Sequence, residues 1–171
     1  MATTYTLIAS STPSTGTTSV IFSSIPQTYT DLELRFSARR QNGANIGSGY
    51  SIYFNNNTSG YSSTYIDVTN NIVTSSRLSN RSQIDGSYVN DNASTANTFS
   101  NSTLYIPNYT ASTAKPISLI SPTENNGSNA PVQNTASLWN NTAAITSINI
   151  DIAFSGYVSG SSFYLYGIKN S

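Results

Sequence analysis

Residues 31–40, DLELRFSARR, carry the plainest structural signal in the chain. Leu32, Leu34, Phe36 and Ala38 fall on one side of an extended segment. Asp31, Glu33, Arg35, Ser37 and Arg39 fall on the other. A period of two predicts a half-buried β-strand whose polar face carries cross-strand charges. Residues 145–154, ITSINIDIAF, alternate as cleanly, with Ile148, Ile150, Ile152 and Phe154 opposed to Asn149, Asp151 and Ala153.

Working outward, the same pattern marks strands over 5–10, 19–25, 50–54, 61–68, 98–106, 115–120, 133–139 and 162–168. Pro116 has no N–H for a ladder, which predicts an edge or a strand start over 115–120. The stretch 72–88 reads as weaker, with Asp85-Gly86 marking a turn. An Asn42-Gly43 turn and a long turn over 124–131 punctuate the chain. Short strands at this spacing predict an all-β protein, a jelly-roll-like antiparallel β-sandwich, with an immunoglobulin-like sandwich as the alternative. No fixed repeat points to a propeller or solenoid, and no composition break marks a second domain.

Composition supports strands. Ile outnumbers Leu, Tyr (12) and Thr are abundant, and good helix formers other than Ala are few. Leu, Ile, Val and Phe make about a fifth of the chain, near the range of disordered proteins. Disorder, however, goes with high net charge and few aromatics. This chain of 171 residues has seven cations, seven anions and abundant Tyr.

The charge and cysteine counts exclude several functions. With no Cys and no His there is no disulfide, no Cys/His zinc site and no histidine-based triad. The balanced charge offers no basic patch for nucleic acid. No apolar run reaches the length of a membrane helix. The first 18 residues lack the charge and apolar run of a secretory signal, which predicts synthesis in a cytoplasm. Residues 1–18, uncharged with one apolar cluster, are read as a plausible N-terminal arm.

Four segments, YTLIASS (5–11), FSSIPQTYTDLELRFSARR (22–40), ASLWNNTAAITSINIDI (136–152) and FYLYGIK (163–169), resemble a group of small proteins of tailed bacteriophages, especially marine and cyanobacterial ones. The IPNY segment at 106–109 fits as well. The resemblance spans most of the chain and weakens over about 42–98. It implies a virion structural protein. By analogy with small all-β phage proteins, the tasks are capsid decoration (cement), a head fibre, or the tip of a tail fibre.

Chemistry-bearing residues are few. The acids Asp31, Glu33, Asp67, Asp85, Asp91, Glu124 and Asp151 include no pair that sequence alone brings together as a glycosidase requires. Asp31 and Glu33 read as strand-face residues beside Arg35. The run DGSYVNDN (85–92) has oxygen ligands without EF-hand spacing, and Asx residues make turns without a metal. Arg39, Arg40, Arg77 and Arg81 are read as strand-end surface cations or as contacts for an acidic group. Asn-x-Ser/Thr sequons at Asn56, Asn57, Asn80, Asn92, Asn101, Asn108, Asn126 and Asn140 follow from composition.

Tyr50, Tyr53, Tyr61 and Tyr65 lie near Asn-rich loops and are the candidate binding residues. Tyr with Asn and Ser makes a polar recognition surface, though the same rings suit a sandwich core. The sparse charge suits a surface locked into an assembly whose binding salt does not screen.

The expectation is therefore a non-enzymatic decoration protein on the outer surface of a phage head. It would need no cofactor or metal, and would bind the major capsid protein as a homo-oligomer, a trimer being favoured. The rival expectation is a fibre tip that recognises host surface glycans.

Overall fold

The computed structural model describes residues 4–41, 49–126, 130–152 and 155–169. These form twelve strands and no helix: β1 (Tyr5–Ser11), β2 (Ser19–Phe22), β3 (Asp31–Ala38), β4 (Gly49–Phe54), β5 (Tyr61–Thr69), β6 (Ile72–Arg81), β7 (Ile84–Tyr88), β8 (Ser100–Ile106), β9 (Lys115–Pro122), β10 (Val132–Trp139), β11 (Ile148–Ile152) and β12 (Ser162–Ile168). One antiparallel sheet has the order β1-β12-β3-β8-β9-β10-β5-β6 and the other β2-β11-β4-β7.

Eight of the strands form the jelly roll. With two hairpins set aside, the sheets reduce to β1-β12-β3-β8 and β2-β11-β4-β7, the wiring of two interlocked Greek keys. The hairpin β5–β6 is inserted between β4 and β7, and the hairpin β9–β10 between β8 and β11. Both add to the edge of the first sheet beyond β8, and together they make a four-stranded wing. This wiring selects the jelly roll over the immunoglobulin-like alternative.

Alternation sets the core. Leu32, Leu34, Phe36 and Ala38 are buried, as are Ile148, Ile150 and Ile152 on the facing sheet. Phe36 stacks on Phe163 at 5.1 Å, with Tyr50 and Tyr157 edge-on to the pair. A second cluster joins Phe54 of β4 to Tyr61 and Trp139 of the wing at 5.5–6.1 Å. Each such ring pair contributes about 0.5–1.5 kcal/mol beyond the area it buries. This cluster fastens one end of the wing to the second sheet.

The opposite face of β3 departs from expectation. Asp31 and Glu33 are buried, and tyrosines cover them in place of cross-strand cations. The Tyr105 hydroxyl donates to Asp31 at 2.7 Å and the Tyr5 hydroxyl to Glu33 at 3.2 Å. Arg35 pairs with Glu33 on its own strand and lies 5.7 Å from the ring centres of Tyr5 and Tyr166.

Other expectations are corrected. The stretch 72–88 is two strands that turn at Ser82-Gln83, so Asp85-Gly86 lies within β7. Of the two readings of Pro116 the strand start holds and the edge does not: β9 is interior, between β8 and β10, and Pro116 occupies its start, where β8 does not reach. Residues 5–11 are no free arm. They pair with β12 on both sides of a bulge at Ile8, with Ile8 and Ala9 against the core. Residues 16–18 are held by backbone bonds to Ile152 and Tyr157. The Asn42-Gly43 turn, the centre of the turn expected over 124–131, Ala153, Phe154 and the first three residues lie outside the described residues.

Asparagine serves the turns. Asn55, Asn56, Asn70, Asn71, Asn80, Asn97, Asn108 and Asn126 all have positive φ, which Asn tolerates better than other residues with a Cβ. Asn70-Asn71 make the two-residue tip of the β5–β6 hairpin, where both central residues need that conformation.

Candidate functional site

Over β5 and β10 the wing reverses the polarity that prevails in the roll. In the roll most apolar strand residues face the sandwich interior, with Leu7 and Ile21 exposed. In β5, Tyr61, Ser63, Tyr65 and Asp67 face inward, while Ile66 and Val68 face out and are 55% and 37% exposed. In β10, Gln133, Thr135 and Ser137 face inward and Val132 and Leu138 outward. Ile120 of β9 and Val73 of β6 join the outer face, 53% and 68% exposed. Register makes the patch continuous. Val73, Val68, Val132 and Pro122 lie in one row across four strands, and Ile66, Asn134 and Ile120 in the next. A shallow hollow lies between Ile66, Ile120, Asn134 and Ala136. The ten-residue edge strand β6 is exposed nearly throughout.

The inner face of the wing forms a cleft of about 480 Å³ against β4 and β7 of the second sheet. Thr74, Asp67 and Gln133 stand side by side on β6, β5 and β10 and form one wall with Tyr65. Tyr88, Asp85 and Gly86 of β7 form the other, and Tyr50 of β4 the floor. Tyr61 and Trp139 close the sandwich at the far end of β5 and β10, so the sheets part toward Asp67 and Gln133.

Asp67 is 6% exposed. Its Oδ1 accepts from the Thr69 hydroxyl at 2.5 Å, and its Oδ2 accepts no hydrogen bond from the described residues. Burial first, then the charges of Asp67 and Tyr65, hold the Tyr88 phenol above its usual range. Asp85 is engaged. Arg81 donates to both its oxygens at 2.8 and 3.1 Å, and Gln83 donates to one at 3.1 Å. The cleft thus presents one open carboxylate rather than the two that glycoside hydrolysis by paired acids requires.

The four candidate tyrosines are separated. Tyr65 lines the cleft. Tyr50 forms its floor, but its ring is 2% exposed and its hydroxyl bonds Ser121 at 2.6 Å and Ser102 at 3.0 Å. Tyr61 is a core residue. Its hydroxyl accepts from Phe54 N–H at 2.9 Å and donates to Asn57 C=O at 3.2 Å, and burial pushes its phenol up to about 12. As surface binders Tyr50 and Tyr61 are therefore corrected: both rings fill the space between the sheets. Tyr53 lies outside the cleft, half-buried, with its hydroxyl on Asp151. Sequence reasoning named Asp67 only as one of the scattered acids, and missed Tyr88 and Gln133 as site residues. The available signal was the alternation over 61–69, which sets Tyr65 and Asp67 on one face and Ile66 and Val68 on the other.

The remaining candidates hold the fold. Arg39 donates to the carbonyls of Ser94, Thr95 and Thr98. Arg40 pairs with buried Asp91 at 3.1 Å. Asp85 and Asp91, the two acids of the 85–92 run, thus end in separate ion pairs with Arg81 and Arg40. Lys115, fully buried, donates to the carbonyls of Ala111 (2.6 Å) and Thr113 (2.5 Å), which fastens the loop before β9.

No protein-family model matches the chain, and no curated protein matches it.

Proposed function

We propose that this chain is a phage virion structural protein, a jelly-roll decoration protein that binds the major capsid protein on the outside of the head. The observation that carries the reading is the inverted wing. A sheet face that turns Ile66, Val68, Val73, Ile120 and Val132 to solvent favours an apolar partner surface. No Lys, Arg, Asp or Glu lines the hollow at its centre, so its contacts would hold across changes of salt. The resemblance over the two ends of the chain agrees with a virion protein. Several copies, a homotrimer on this reading, would clamp neighbouring subunits and raise the free energy of opening the shell by mass action and avidity.

Gold-labelled antibody on particles of the encoding phage tests the location. Even label over the head supports decoration. Label confined to the tail or to one vertex, or none, overturns it. Purified protein added to undecorated heads tests the face: Ile66→Ser with Ile120→Ser abolishes binding, with the melting temperature unchanged. Full binding by that variant removes the wing as the docking surface.

A further inference from the structure

The inner face of the same wing points away from the proposed docking surface, so what it binds is independent of that reading. We infer that the cleft between β5 and β7 is a binding site for neutral saccharides, with Asp67, Tyr65 and Tyr88 as its principal contacts.

Three observations carry this. First, Asp67 is nine-tenths buried yet leaves Oδ2 unbonded among the described residues, at the wall of an open cleft. A carboxylate oxygen without a protein donor, open to a cleft on an otherwise buried side chain, is a strong acceptor for a ligand O–H. Second, the hydroxyls of Tyr65 and Tyr88 receive and make no hydrogen bond with the described residues, and both side chains line the space beside Asp67. Phenols give a sugar both an apolar ring and a polar tip. Third, the cleft wall carries Gln133 and Thr74, whose amide and hydroxyl match the alternating donors and acceptors of a pyranose.

Charge selects the class of sugar. Two carboxylates line the cleft and neither Lys nor Arg does; Arg81, beside it, is committed to Asp85. A sialic acid, uronic acid or sugar phosphate would meet a like charge without a counter-ion. A neutral hexose or N-acetylhexosamine meets no such barrier. The cleft volume of about 480 Å³ accommodates one or two sugar rings.

The test is an array of immobilised neutral hexose and N-acetylhexosamine oligosaccharides beside sialylated and uronate-bearing ones, followed by titration calorimetry with the best soluble oligosaccharide. Neutral sugars bind. Asp67→Asn keeps the acceptor for Thr69 and weakens binding about tenfold, the usual effect of removing a charged hydrogen bond. Tyr88→Phe, which keeps the ring, weakens it less than Tyr88→Ala. Circular dichroism and melting curves of each variant exclude misfolding as the cause. Binding of no neutral saccharide, preference for the acidic ones, or unchanged affinity in both Asp67→Asn and Tyr88→Ala overturns the assignment. None of these results bears on capsid binding, which is read from the outer face.

Discussion

Gly86 lies against the ring of Tyr50 so closely that a Cβ at this position would stand 2.1 Å from Tyr50 Cε2. The contact sets how near β7 can approach the floor of the cleft. Gly86→Ala forces the strand or the ring to move and lowers stability by about 1–3 kcal/mol, in the range for overpacking. Urea unfolding measures it. Adding Tyr50→Leu to Gly86→Ala removes the obstruction, so the two changes together destabilise less than their sum. Strict additivity would mean that the contact is not the cause.

The Arg40–Asp91 pair, with side chains 3% and 0% exposed, bridges the end of β3 and the loop after β7. Asp91→Ala leaves the guanidinium buried without its anion and lowers stability by about 3–5 kcal/mol. Arg40→Met with Asp91→Leu removes both charges and recovers most of that loss. A double variant as unstable as Asp91→Ala would count against desolvated charge as the origin.

Stability falls on the alkaline side. Burial pushes the phenol of Tyr61 up to about 12, and the hydrogen bond to Asp31 first, then burial, pushes Tyr105 up to about 12. Burial raises Tyr157 further. Unfolded phenols ionise near ~10, so the folded state keeps protons that the unfolded state has lost. The contribution is complete below pH ~10 and is lost as pH climbs through ~12. Lys115, lowered by burial, acts in the opposite sense: its contribution grows as pH rises from its lowered value toward 10.5. The tyrosines outnumber it. Without histidine the melting temperature stays level across neutrality, then drops above pH ~10. Tyrosinate absorbance and loss of the β circular dichroism signal then rise together. Full tyrosine ionisation with the fold intact would contradict this.

Removing residues 1–11 strips β1 from β12, which becomes an edge strand and loses the cover of Ile8 and Ala9. The truncated protein melts several degrees lower and self-associates through the freed ladder. Light scattering and thermal melts decide the matter. A monomer with unchanged melting temperature would restore the free-arm reading.

What the sequence displayed was local. The apolar positions of DLELRF and INIDI are buried as the alternation predicts, because both strands pack one face on the core, whereas Asp31, Glu33 and Asn149 on the polar faces are buried too, by contacts that alternation does not display. Gly86 misled because Asp-Gly signals a turn, whereas this glycine answers to a ring 36 positions earlier in the chain. Tyr50 and Tyr65 were inseparable on paper. Both lie in short Tyr- and Ser-containing strands, and only the approach of β7 to β5 makes one the floor and the other a wall. The wing was not legible because apolar strand residues ordinarily face a core, whereas Ile66 and Val68 lie on the outer face of the sheet.

The wing has a consequence for inheritance. Its two hairpins enter the roll at separate junctions yet pair with each other, so they can be exchanged together while the eight-stranded frame keeps its wiring. One frame can then carry many wings, each with its own outer and inner chemistry. The Asn70-Asn71 tip, at the far margin of that appendage, is where a grafted peptide would perturb the frame least.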